Sequence, residues 1–145
     1  MKILALDLGD RWVGSALSDG LGITCKPYQT VELVDLPTFL LDVIKREGVR
    51  TIIVGYPKTL SGGQSLQTEK VAKFAKQLEQ KIGAKQEHAI TWILWDERLS
   101  SKRAQEVRHA VTPEEKRKSH SIAAAFILQG YLDGMAFRDA NADTE

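Results

Sequence analysis

The chain opens on Ile3-Leu4-Ala5-Leu6, four apolar residues in a row, closed by Asp7-Leu8-Gly9. A short unbroken apolar run ended by a turn signal predicts a strand buried on both faces, with Asp7 at its C-terminal end. Residues 12–17 and the Thr, Tyr and Val alternation within residues 23–34 predict two further strands in antiparallel hairpins. Leu36, Phe39, Leu40, Val43 and Ile44 then recur at helical spacing, and Gly48 follows as a stop. Thr51-Ile52-Ile53-Val54-Gly55 is β-branched and predicts a buried strand. Val71, Phe74, Ala75, Leu78 and Ile82 predict a second helix stopped by Gly83, and residues 90–95 another strand, ending at Asp96-Glu97. Ala104 and Val107 suggest a helix from about Ser101, and residues 122–135 a last helix that Gly130 weakens by about 1 kcal/mol relative to Ala. Thr112-Pro113-Glu114-Glu115 carries an N-cap, a first-turn Pro and a capping Glu, which predict a short helical turn. A hairpin group followed by alternating helices and strands defines an α/β domain with a mixed sheet, antiparallel at the start and parallel later.

Composition narrows the class without changing this outline. The 145 residues match the modal domain size, so residues 1–137 are expected to form a single domain, and residues 138–145, which lack periodicity, a flexible tail. With 43% hydrophobic and 27% charged residues the chain is globular in composition, and no apolar run approaches the length of a membrane span. The lone Cys25 excludes an internal disulfide and a thiolate zinc site, and a cytoplasmic location is expected. A net charge of +1 offers no global attraction to polyanions, so contact with nucleic acid would need a local patch.

Candidate chemistry gathers where strands end. Asp7 and the pair Asp96-Glu97 each follow a buried strand, and the carboxyl ends of the strands border the site crevice in open α/β sheets. Carboxylates converging there repel unless a cation neutralises them, and oxygen ligands favour Mg²⁺ or Mn²⁺. Strand termination, with Glu97 paired to Arg98, explains the same residues equally well. Gly9 and Gly14 bracket the first turn, which suits either close approach to a phosphate or a tight hairpin. Lys58 lies in a Gly-Gly loop whose polar side chains suit phosphate or sugar oxygens. Lys102, Arg103, Arg108, Lys116, Arg117 and Lys118 make the densest basic stretch. Cations around an acidic centre would hold a phosphodiester backbone while metal ions activate water, although a solvated helix face is the commoner origin of such a run. His120 opens the last helix, as a ligand or acid/base group or with no chemical duty. The three tryptophans read as core or sheet residues.

These motifs, taken together and in order, resemble the YqgF family, also called RuvX or Holliday junction resolvase-like. They are Asp7-Leu8-Gly9 with Gly14 and Ser18-Asp19, Val54-Gly55-Tyr56-Pro57 with Gly62-Gly63, Asp96-Glu97-Arg98-Leu99-Ser100, and Ala123-Ala124 with Ile127-Leu128-Gln129 and Tyr131-Leu132-Asp133. The resemblance spans nearly the whole chain, and Asp-Glu-Arg-Leu-Ser is its most specific stretch. It implies a ribonuclease H-like fold, Asp7 as the first metal ligand, and Glu97, with Asp96 beside it, as the second acidic position. It also implies trimming of the 5′ end of precursor 16S rRNA during ribosome biogenesis, using Mg²⁺ or Mn²⁺, with precursor rRNA and the small ribosomal subunit as partners. Arg98 joins the lysines and arginines expected to position the backbone. The chain departs from the family at the start of its last helix, where an Asp is usual and His120 stands. Three other functions are open at this point: an RNA- or protein-binding factor without catalysis, a Holliday-junction DNA nuclease, and a sugar-kinase or actin-like ATPase, whose two lobes exceed this chain's length.

Overall fold

A computed structural model describes residues 2–9, 11–56, 66–83, 89–96 and 113–143. Five strands, β1 (Lys2–Leu8), β2 (Trp12–Ser18), β3 (Cys25–Glu32), β4 (Val49–Tyr56) and β5 (Thr91–Asp96), form one sheet in the order β3-β2-β1-β4-β5. The first three strands are antiparallel, whereas β4 and β5 run parallel to β1. Among the described residues three α-helices accompany them: α1 (Leu36–Glu47), α2 (Leu66–Gly83) and α3 (Pro113–Asp143). The mixed sheet expected from the pattern is therefore present. The helix expected from about Ser101 lies outside the described residues.

Strand alternation sorts side chains onto two faces. Leu4 and Leu6 of β1, with Ile52 and Val54 beside them on β4, pack against α1 and α2 through Leu36, Leu40, Val43, Leu78 and Ile82. Ala5, Ala16 and Ile53 face the other way, onto Ala124, Ile127, Leu128 and Leu132 of α3. Both faces of β1 are dry, which is why its sequence is apolar without alternation. Helix α1 buries the five residues that its spacing singled out, and Gly48 ends it in a left-handed conformation at φ 68°, its N–H donating to the Ile44 carbonyl at 3.1 Å.

Helix α3 differs from the sequence expectation at both ends. The short turn at Pro113 and the last helix are one continuous helix, because Pro113 needs no N–H partner in a first turn and nothing after it interrupts the backbone. At the other end Ala136, Ala140 and Ala142 favour helix, and α3 runs on to Asp143 where an irregular tail from Arg138 was expected.

The α3 face is built for close approach. A β-carbon placed on Gly14 would lie 2.0 Å from the His120 carbonyl carbon and 2.5 Å from the Ser121 nitrogen, so the helix backbone rests directly on β2. The Ser121 and Thr30 hydroxyls hydrogen-bond across this junction, and the Cys25 thiol donates to the Ala125 carbonyl at 3.2 Å.

Gly14→Ala is expected to force helix and strand apart and to destabilise the protein by about 3 kcal/mol or more, whereas Gly20→Ala, with nothing near its β-carbon, should stay within about 0.5 kcal/mol; urea unfolding of both variants measures the difference. Burial, reinforced by the nearby charges of Asp133 and Asp19, pushes the Cys25 thiol up to about 11. The folded chain thus holds it neutral where the unfolded chain ionises, so this contribution to stability is complete below pH 9.0 and is lost as pH rises toward 11. At pH 9 the native protein should alkylate at Cys25 far more slowly than the urea-unfolded chain, as followed by mass spectrometry.

Candidate active site

Asp7 sits one residue before the end of β1, level with Gly14 on β2 and Gly55 on β4. Its side chain shares the α3 face with Ala5, and both flanking strand positions lack a side chain at that level. The carboxylate thereby occupies a notch in the sheet, and Asp7 retains only 4% of its accessible surface. A carboxylate so deeply placed needs partners or a cation to remain ionised.

The first turn of α3 beyond Lys118 crosses this notch. His120 Nδ1 lies 3.4 Å from Asp7 Oδ2, with 27% of the imidazole side chain exposed. An ionised carboxylate only accepts, so a neutral imidazole making this long hydrogen bond would carry its proton on Nδ1 and leave Nε2 as an acceptor. Gly9 closes the β1–β2 turn, its N–H donating to the Trp12 carbonyl at 2.9 Å. A β-carbon there would lie 2.7 Å from that carbonyl and 3.1 Å from His120 Cε1, so a side chain at residue 9 would crowd the ring. Of the two glycines considered as a phosphate turn, Gly14 is filled by α3 and Gly9 is faced by His120; their observed work is packing.

The structure thus brings Asp7 and His120 together. Asp96 is the last residue of β5, level with Tyr56 and one position beyond the level of Asp7. Its side chain, and all of Glu97, Arg98, Lys58, Lys102 and Arg103, lie outside the described residues. Lys116 and Arg117 belong to the N-terminal part of α3, their side chains likewise outside the described set, and Lys118 is exposed on the same helix two residues before His120. Trp95 is a sheet residue, as the sequence predicts; it shares the Asp7 level across β4 and packs edge-on against Tyr131 at 5.6 Å. Among the described residues its buried indole Nε1 has no hydrogen-bond partner. No pattern in the sequence marks that orphan, because it depends on where α3 lies.

A carboxylate with an imidazole beside it offers an oxygen and, at Nε2, a nitrogen to a divalent cation, and nitrogen shifts the preference from Mg²⁺ toward Mn²⁺. Among the described residues no group of three or more His, Cys, Asp or Glu side chains could hold a metal, so a complete set needs a further donor.

The fold has solved counterparts. The chain is similar in fold to Thermus thermophilus RuvC in complex with a Holliday junction substrate, with TM-score 0.54, 13% identity and coverage of 94% of this chain and 96% of that one. It is also similar to the yeast mitochondrial Holliday junction resolvase Ydc2, with TM-score 0.51, 12% identity and coverage of 92% and 78%. The fold is ribonuclease H-like, of the type found in RuvC-like resolvases. In sequence, a relative from Syntrophus aciditrophicus named "Putative pre-16S rRNA nuclease" is 37% identical over 142 residues, covering 94% of this chain and 91% of the relative. One of the same name from Koribacter versatilis is 38% identical over 139 residues, covering 91% and 86%. The model of the RuvX family, described as Holliday junction resolvase, matches residues 1–134, and the chain belongs to that family.

Replacing Asp7 by Ala removes the acceptor that faces Nδ1. Nitrogen-15 NMR of His120 should then show protonation moving from Nδ1 to Nε2, and an unchanged tautomer would mean that Asp7 does not orient the ring.

Proposed function

We propose that this protein is a metal-dependent nuclease that processes the 5′ end of precursor 16S rRNA. The observation that carries the reading is the buried Asp7 carboxylate at the carboxyl end of β1 with His120 Nδ1 at 3.4 Å, in a chain of the RuvX family. Relatives that match most of the chain bear the pre-16S nuclease name, which supports the choice of substrate.

Asp7 and Glu97 would hold the metal, Mg²⁺ or Mn²⁺, with Asp96 beside them. Glu97 directly follows β5, and one strand, β4, separates β5 from β1. When bound there, the ion would lower the pKa of a coordinated water and offset negative charge on the leaving oxygen. Asp7 contributes a carboxylate fixed by strand geometry, so that little side-chain freedom is lost on binding. His120, standing where the family usually has Asp, is held through Nδ1 and offers Nε2 either to the metal or to a proton of the attacking water. Lys58, Arg98, Lys102, Arg103, Lys116, Arg117 and Lys118 would bind phosphates on either side of the scissile bond, fixing register without reading sequence. Such a role would be carried out in the cytoplasm, on the precursor of the small ribosomal subunit. Among the described residues no helix is long and apolar enough to cross a membrane.

A second reading, cutting of four-way DNA junctions, is favoured by the description of the family model itself. The two differ in substrate and share the site.

Cleavage of a labelled precursor-rRNA fragment in Mg²⁺ and in Mn²⁺ tests the proposal. Asp7→Asn should lose at least about 100-fold in rate, His120→Ala should be impaired, and His120→Asp should cleave faster than wild type in Mg²⁺ because a harder ligand is restored. Full activity in Asp7→Asn would overturn the site assignment. Binding without cleavage in either metal would favour an assembly factor, and preference for a four-way DNA junction would favour the second reading.

A further inference from the structure

The turn joining β1 to β2 passes beside His120 at Gly9, and two residues further on it carries Arg11, 73% of whose side chain is exposed. Hydrogen bonds fix the backbone around this arginine. The Gly9 N–H donates to the Trp12 carbonyl at 2.9 Å, and the Leu33 N–H donates to the Arg11 carbonyl at 2.7 Å. The side chain is held as well: its guanidinium carbon lies over the Trp12 ring, 5.4 Å from the centroid, where the negative face of the indole attracts it. Glu32 Oε1 stands 3.9 Å from Nη2, at the limit of an ion pair, and a pair so exposed is worth little. An arginine restrained by its backbone and by a ring, yet open to solvent, is placed for an acceptor from outside the chain.

Its position decides which acceptor. Side chains along a strand alternate, so Trp12 shares a face of β2 with Gly14, and that is the face on which α3 and His120 lie. By strand spacing the α-carbons of Trp12 and Asp7 are roughly 8 Å apart. The sheet order puts β2 on the side of β1 away from β4 and β5. The cations already assigned to the nucleic-acid backbone follow β4 or β5 in the chain or stand on α3. Arg11 belongs to the first hairpin, across β1 from the strand that Asp96 ends.

We propose that Arg11, carried on the Trp12 ring, binds a backbone phosphate next to the scissile one, on the β2 side of Asp7. Its substrate is that of the nuclease reading, on which this contact rests, and it adds a residue that holds the strand from the other flank. A guanidinium meets a phosphate with two parallel N–H donors, and restraint by the ring lowers the entropy lost on binding. Glu32, in register with Trp12 on β3, gives way to the phosphate. The contact fixes where the strand lies without reading its bases.

The test is fluorescence anisotropy of a labelled single-stranded precursor-rRNA fragment and of a labelled four-way DNA junction, each titrated in EDTA over a series of salt concentrations. Arg11→Ala should weaken binding at least about fivefold at low salt. Its plot of log affinity against log salt should be flatter than wild type by about 0.7 on the single strand or about 0.9 on the duplex arms, the share of one phosphate. Arg11→Lys, which keeps the charge, should keep the wild-type slope. Lys45→Ala removes an equal charge from α1, on the opposite face, and should bind as wild type does. All three variants should unfold at the wild-type urea midpoint. With Mg²⁺ or Mn²⁺ added, the loss in Arg11→Ala should fall on KM rather than kcat. If one of the two nucleic acids alone registers the change, that one supplies the phosphate. Wild-type affinity and slope in Arg11→Ala would overturn the proposal. So would a loss of kcat with binding intact, a loss that varies with base sequence, or equal weakening by Lys45→Ala, which would reduce the effect to net charge. If no protein cleaves while the slopes change as stated, the nuclease reading fails and the phosphate contact stands.

Discussion

The contact of the α3 backbone with Gly14 is the constraint on which the remainder of this structure depends. A helix and a sheet ordinarily meet through side chains, at a separation that those side chains set. Here the first turns of α3 descend onto a strand position with no side chain, and small residues on both sides, Ala5 and Ala16 below and Ala123 and Ala124 above, keep the approach close. The serine–threonine hydrogen bond and the thiol–carbonyl contact along the junction satisfy polar groups that such proximity would otherwise strand.

That proximity makes the site. His120 reaches Asp7 only because the helix is seated low enough, and it is seated there because Gly14, level with Asp7 on β2, has no side chain to hold the helix off. Packing and chemistry are therefore the same geometry in this part of the molecule. A substitution that widened the junction would remove the imidazole from the carboxylate without touching either residue. The glycines of the first hairpin are understood in the same terms, as seats for α3 and for the imidazole ring.

The opposite face has a different physical character. Leu4, Leu6, Ile52 and Val54 meet α1 and α2 through large aliphatic side chains, as hydrophobic layers usually do, and this face supplies much of the buried apolar area. Bulk apolar burial stabilises the sheet from one side, while small residues and hydrogen bonds set position on the other. The indole of Trp95, level with Asp7 and with its nitrogen unpaired among the described residues, belongs to the precisely positioned side.

Much of this was legible in the chain. The unbroken apolar run of β1, the hairpin alternation, the helical spacing of α1 with its Gly48 stop and the β-branched β4 each state their own structure, because those signals are local and follow from backbone geometry and burial. The motifs Asp7-Leu8-Gly9 and Asp96-Glu97-Arg98-Leu99-Ser100 carried the family, and placed Asp7 and His120 among the candidates. What the sequence could not say was which element His120 would face, that Pro113 begins one helix reaching Asp143, or that Gly14 seats a helix. The first and last of these are contacts between residues about a hundred positions apart, set by how layers stack on the sheet, and a distance of 3.4 Å between Asp7 and His120 exists only once α3 has been laid across β1 and β2.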